Sequence, residues 1–277
     1  MARGQLERNQ QEASLILFLF LSHLGVGIFL TLIFVSRQAG VKFFRFNAGL
    51  SAALIAVAFA FRPAGTGGVM ETAALVALGC SEAAIVVYWA TVGRTLAAIR
   101  PAIVTTACGA GLASLVCQAL AASSGRPAAT EALTVASFLS SSAFLGGVCT
   151  AMILGHWYLV LPSMQVSHLQ SVVRLHIASM VVRMAVVGAA VFVAIATWEP
   201  GLGPSFRSYI LSVGGIFFWQ CVLFGLVGPG VLSYLTWETA KIQSTQSATG
   251  ILYVDFFTVV VGEVLAKYLL LATRVPV

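Results

Sequence analysis

Charge is the scarcest commodity in this 277-residue chain. Lys, Arg, Asp and Glu together supply 9% of it, where soluble domains carry roughly a quarter. A globular protein in water is therefore excluded, and almost nothing is left over for a separate soluble domain. Acidic residues are rarer than basic ones, nine against fifteen, yet the resulting +6 does not point to nucleic acid. Basic residues flanking apolar runs are what membrane topology and anionic headgroups require. Cysteine is sparse too. Cys80, Cys108, Cys117, Cys149 and Cys221 all lie inside apolar runs and form no CxxC pair. That spacing argues against an iron–sulfur cluster or zinc site held by this chain. The thiols read as small buried apolar side chains. The N-terminal "MARGQLERNQQEAS" lacks a small-residue cleavage site and reads as a polar tail leading into a retained span.

What the chain has is hydrophobicity, 59% of its residues, gathered in runs long enough to cross a bilayer. Eight spans are expected, at roughly 13–36, 43–62, 69–97, 101–122, 131–161, 168–198, 208–237 and 247–272. Short linkers carry the breakers: "RPAGTGG", "IRPA", "SSGRPA", "VLPSMQ", "WEPGLGP" and "STQSATG". The fold class is all-α, a polytopic eight-transmembrane-helix bundle forming a single domain over 1–277. No internal sequence repeat stands out. An even span count puts both termini on one side of the membrane. The Lys and Arg of the loops divide seven against seven, so their count does not choose that side. Arg37, Lys42 and Arg45 crowd the first loop, whereas Arg3 and Arg8 are interleaved with Glu7 and Glu12. The first loop is accordingly read as cytoplasmic and the termini as periplasmic.

An ionisable group at membrane depth is costly, so each marks a candidate site. Glu82 falls about 14 residues into span 3, roughly 21 Å along a helix and near mid-bilayer. Glu71 precedes it by eleven residues and Trp89 follows by seven, all on one stripe. The stripe could carry protons from a buried carboxylate to the membrane edge, or Glu82 could be neutralised by protonation or a buried Arg. His176 and Arg183, seven residues apart, share a face of span 6. Arg183 needs a counter-ion from Glu82, Asp255 or Glu263, with Glu82 and Glu263 favoured, and structural pairing is its expected role. Pro229, between two glycines in "GLVGPGVLSYL", should kink or break span 7.

The four histidines leave more than one chemistry open. His23 sits inside span 1, as a haem ligand, a quinone partner or a histidine bonded to a neighbouring helix. "LGHWYLVLPSM" closes span 5, with Pro162 stopping the helix and Trp157 and Tyr158 at positions suited to an interfacial aromatic belt. His168 and His176 follow after a short turn. His156 and His168 could thus lie close together and hold a b-type haem.

The last span, "TQSATGILYVDFFTVVVGEVLAKYLLL", resembles the final helix of eight-helix quinone-interacting anchor subunits. These include the dimethyl-sulfoxide-reductase anchors and their polysulfide- and nitrite-reductase-type relatives. The likeness covers the "ATGILY" start and the "GEVLAKYLL" exit, about 25 residues. In that family a carboxylate near the end of the helix is followed four residues on by Arg. Glu263 and Lys267 are the matching positions, with Lys in place of Arg. The spacing favours an ion pair, and Lys267 so near the helix end could snorkel to the interface. The resemblance implies a bacterial inner-membrane subunit with periplasmic termini. It exchanges electrons between a quinone, menaquinone or ubiquinone, and an iron–sulfur or multihaem cytochrome partner, usually without haem. Glu71 or Glu82 is the nearest match to the family's quinone-site acid, with His23 beside it. Membrane lipids are the other expected partner. A cytochrome b-like subunit binding haem b through His23, His156, His168 or His176, and a transporter or structural subunit, are the alternatives.

Reporter fusions at Met1 and at Val277 should therefore report the same compartment, the periplasm. Reporters in opposite compartments would mean that one span has been merged or split.

Overall fold

The computed structural model describes residues 2–62, 68–94, 97–160, 166–198 and 205–277. Its long helices are α1 (Ala2–Thr31), α2 (Gly40–Ala60), α3 (Val69–Thr91), α4 (Arg100–Ala122), α5 (Ala128–Val160), α6 (Val166–Ala196) and α10 (Thr245–Thr273). Between the last two, the chain forms α7 (Phe206–Ile210), α8 (Ile216–Val222), a π-turn at Leu223–Val227 and α9 (Gly228–Lys241). Among the described residues, eight helical segments are long and apolar enough to cross a membrane, the seventh running from Val213 to Lys241. The protein is a multi-pass, all-α membrane protein. Helix is the form that satisfies every backbone N–H and C=O within the segment when lipid offers no partner.

Several boundaries differ from the sequence expectation. The N-terminal tail is helical from Ala2, continuous with span 1. Span 3 ends at Thr91 rather than near 97, because Gly93 turns the chain with φ +76°. Pro101 sits in the first turn of α4, where its missing N–H costs nothing. Pro162, the expected stop of span 5, lies outside the described residues. Pro229 does not break span 7. It occupies the first turn of α9, and the π-turn just ahead of it takes up the misfit. That turn brings Gly225 against Gly262 of α10, where a Cβ would meet the Gly262 Cα at 3.0 Å.

The packing repeats one connectivity twice. Spans 1 to 4 form a ring in which α1 touches α2, α2 touches α3, α3 touches α4 and α4 returns to α1. Spans 5 to 8 form a second ring of α5, α6, α9 and α10. The rings join through α1 against α5, with α4 on α5 and α10 on α1 flanking the seam. The most apolar stretches of α1 and α5 are 72% and 83% buried, against 28% to 44% for the other six spans. The outer six therefore face lipid.

At the seam, small residues let two backbones meet. A Cβ on Gly27 would overlap the Ser142 backbone, and one on Gly146 would overlap the Gly27 backbone. Ser142 Oγ donates to the His23 carbonyl at 2.8 Å beside this crossing. Ser51 of α2 donates to the Gly25 carbonyl at 2.7 Å.

Gly146→Val should force the seam apart and destabilise the protein by about 1–3 kcal/mol or more, as overpacking does. Gly79→Ala, with open space around it, should be nearly neutral. Thermal unfolding of the two variants in detergent checks this, and equal melting temperatures would refute the contact.

Candidate functional site

The interior of the second ring is ionic. Arg183 of α6 is the largest fully buried side chain, 1% exposed. It reaches across the ring to Glu263 of α10 as a fork, Nε to Oε1 at 2.7 Å and Nη2 to Oε2 at 3.3 Å. Its remaining donors go to Ser137 Oγ at 2.8 Å and to the Val277 main-chain oxygen at 3.0 Å. The chain arrives there by reversing at Arg274, φ +63°, whose carbonyl accepts from Arg126 Nη1. Val275–Val277 then tucks against Val187 and Ala190. Of the counter-ions the sequence offered, the structure selects Glu263 and not Glu82 or Asp255.

Lys267 shares the same carboxylate, Nζ to Glu263 Oε2 at 3.0 Å. It does not snorkel. It is 3% exposed and donates to Ser141 Oγ at 2.5 Å as well. Ser141 is the hub of the cluster. Its hydroxyl donates to Glu263 Oε2 at 2.5 Å, and His23 Nδ1 lies 3.3 Å from Ser141 Oγ. A serine hydroxyl has one proton. With that proton on Glu263, His23 must carry its own on Nδ1. Nε2 is then the lone-pair nitrogen, and it has no hydrogen-bond partner. The His23 ring is completely buried, edge-on to Phe138 at 4.7 Å.

Two helical turns towards the start of α10 lies a second rung. His176 Nε2 contacts Asp255 Oδ2 at 3.1 Å, and Ser233 of α9 donates to the same oxygen at 3.1 Å. His176 stacks on Phe144 at 5.3 Å, 4° from parallel. His176 Nδ1 and Asp255 Oδ1 are buried without partners. The seven-residue step from His176 to Arg183 and the eight-residue step from Asp255 to Glu263 match because spans 6 and 8 run in the same direction.

The other sequence candidates lie apart from this cluster. Glu82 is half-buried on α3, its Oε2 shielded and without a partner. Glu71 is in the first turn of α3, and Trp89 is 44% exposed with its indole over Gly49. The GHWY stretch is a junction. Gly155 packs on Thr249 and His156 Nδ1 meets the Tyr253 hydroxyl at 3.1 Å. Trp157 lies against Phe43 at 5.8 Å, and the Tyr158 hydroxyl accepts from the Leu169 N–H at 3.3 Å. Tyr158 is 3% exposed, so it is not a belt residue. His168 bonds Gln38 at 2.7 Å instead of approaching His156.

The four histidines thus have four different environments. The two buried rings are packed on Phe138 and Phe144, and each of the four histidines has a different hydrogen-bond partner, none of them another histidine. The described residues in this arrangement do not fit a bis-histidine haem. Sequence reasoning missed Ser137, Ser141 and Ser233, although Ser137 and the Ser140–Ser142 run interrupt the middle of an apolar span. It also missed Gln118, buried on α4, whose amide donates to Ser114 at 3.0 Å.

Glu263→Gln would leave Arg183 and Lys267 buried without a counter-charge and should cost about 3–5 kcal/mol. Adding Lys267→Met should recover part of that loss. Unfolding of the single and double variants measures the coupling, and strictly additive losses would refute a shared carboxylate.

No protein family, no curated protein and no solved structure matches this chain.

Proposed function

We propose that this chain is the membrane subunit of a bacterial respiratory oxidoreductase complex. It exchanges electrons between the quinone pool and an iron–sulfur or cytochrome partner, with its termini on the periplasmic side. One observation carries the reading: a continuous hydrogen-bonded path from the unpartnered His23 Nε2 through Ser141 to Glu263, inside the membrane. Buried ionisable chains of this kind serve proton relays.

A quinol gives up two electrons, to the partner's redox centre, and two protons when it is oxidised. His23 accepts one proton at Nε2. Its Nδ1 proton moves to Ser141 Oγ as the Ser141 proton moves to Glu263 Oε2, so the relay transfers one proton; it resets only when Glu263 has released that proton and His23 has returned from its Nε2–H to its Nδ1–H tautomer. Arg183 and Lys267 both contact this carboxylate, so a proton that reaches Glu263 is passed on rather than stored. Glu82 Oε2 is a second unused acceptor on α3, and Glu71 lies eleven residues nearer the terminus side. The chain's own cysteines make no cluster framework, so the electron-accepting centre belongs to the partner.

The repeated four-span connectivity favours a second reading, a proton-coupled carrier. Parallel repeats with charged groups at their interface occur in transporters. The Gly27–Gly146 contact opposes it, since rocking the rings apart would break the closest backbone approach at the seam.

The full chain, purified from native membranes with its partner, should show quinol-dependent reduction of the partner's redox centre. His23→Gln and Glu82→Gln should each lower the rate about 10²-fold, the scale of a lost general base, with the complex intact. Unchanged turnover in both variants overturns the site. A reduced b-type spectrum lost in His156→Ala makes the chain a haem protein. A solute or proton flux in vesicles containing the chain alone, abolished by Asp255→Asn, makes it a carrier.

A further inference from the structure

Among the described residues the first ring holds no fully buried Asp, Glu, Lys or Arg, and it is not filled. On the side of the membrane opposite the termini, where α1 and α3 end and α2 and α4 begin, lies a cavity of about 800 Å³. That is within the range of small-ligand pockets, about 300–1,000 Å³. Its walls are apolar, with Phe29, Leu32, Phe44 and Val104 among them. Polar groups gather at its mouth. Arg37, Arg100 and Tyr88 all line it. Tyr88 itself is 7% exposed and held edge-on by Phe29 at 5.4 Å.

The charge around the mouth has one sign. Residues 32–48, 91–94 and 97–108, which build this end of the ring, contain Arg37, Lys42, Arg45, Arg94 and Arg100 and no Asp or Glu. The opposite side of the protein mixes its charges, with Glu7, Glu12, Glu71 and Glu131 among the cations. A long apolar slot with a purely cationic rim at headgroup level is complementary to one kind of molecule, an amphiphile with an apolar chain and an anionic head. An uncharged molecule would not use the rim, and a zwitterion would bring a phosphate together with a cation that the rim repels, so a head with net negative charge fits best. Exposed Ile33 and Val41 on the cavity wall open it to the lipid phase, from which such a molecule would enter.

We propose that this cavity is a binding site for an anionic glycerophospholipid, its phosphate held by Arg37 and Arg100 with the Tyr88 hydroxyl beside it and an acyl chain lying between α1, α2, α3 and α4. The site is independent of the relay in the second ring and stands whether or not that relay serves a quinone.

Native mass spectrometry of the detergent-purified full chain, titrated with phosphatidylglycerol or phosphatidylcholine, tests it. Phosphatidylglycerol should be retained about tenfold more strongly or better, since each basic residue at the rim adds attraction for net negative charge. Arg37→Gln/Arg100→Gln should abolish that preference, while Arg207→Gln, on the far side, should not change it. Thr105→Trp fills the cavity and leaves both charges. It should also remove retention, and it decides the question if the double variant does not fold. No preference between the two lipids overturns the proposal. So does a preference that survives both the double variant and Thr105→Trp. Release of the bound lipid by millimolar inorganic phosphate alone would overturn it as well, by showing a phosphate site without an acyl slot.

Discussion

Glu263 is taken out of water together with two cations, and satisfying those three charges determines which helices must stand near one another. A buried guanidinium or ammonium costs several kcal/mol to desolvate even after relaxation. Here a single carboxylate meets both. Arg183 takes both oxygens, Lys267 shares one of them, and two serines of α5 absorb the surplus donors. Spans 6 and 8 are diagonal members of their ring. Side chains must reach across the ring to join them, as Arg183 does to Glu263 and His176 to Asp255, and α5 stands alongside to supply Ser137 and Ser141 to the charged cluster. The order of the second ring follows from that geometry. Ser141 also faces His23, so the arrangement extends across the seam into the first ring.

The two rings share a connectivity and solve their interiors differently. The second has charge-assisted bonds through its middle, which are directional and tolerate little displacement. The first relies on apolar contacts and serine-to-carbonyl bonds, such as Ser81 Oγ to Ala107 O at 2.7 Å and Ser114 Oγ to Ala74 O at 2.8 Å. Such contacts are non-directional or local, and they permit a cavity of ligand size. One half is thus a fixed electrostatic frame and the other an adaptable slot, joined along the Gly27–Gly146 crossing.

Span number and class were legible in the amino-acid sequence because lipid imposes a length and a polarity that few segments meet. Span ends were legible to within several residues, and misread where a single backbone angle decided them, as at Gly93. The residues of the charged cluster were legible one at a time. Arg183, Glu263, Lys267 and His23 each stand out against an apolar background. Their grouping was not legible, because helical periodicity says which residues share a face and not what that face meets. Arg183 was matched equally well by Glu82 until the ring order placed α3 elsewhere. The serines were overlooked because hydroxyls are ordinary in membrane helices. The cationic cavity was invisible because its rim comes from two loops about 60 residues apart.

Arg183 and Glu263 are 80 residues apart in the chain. At a synthesis rate of about 5–20 residues per second, roughly 4–16 s separate their appearance. Span 6 is therefore made while its cation has no anion to meet. During that interval Arg183 must stay near the headgroups or within the insertion machinery, because the finished fold is the first environment that neutralises it. Lys267 never faces this delay, since Glu263 precedes it by four residues on the same helix. The last span closes the ring and completes the charge balance in one step, so residence of the half-built protein at the insertion site is governed by a pairing that the final quarter of the chain supplies.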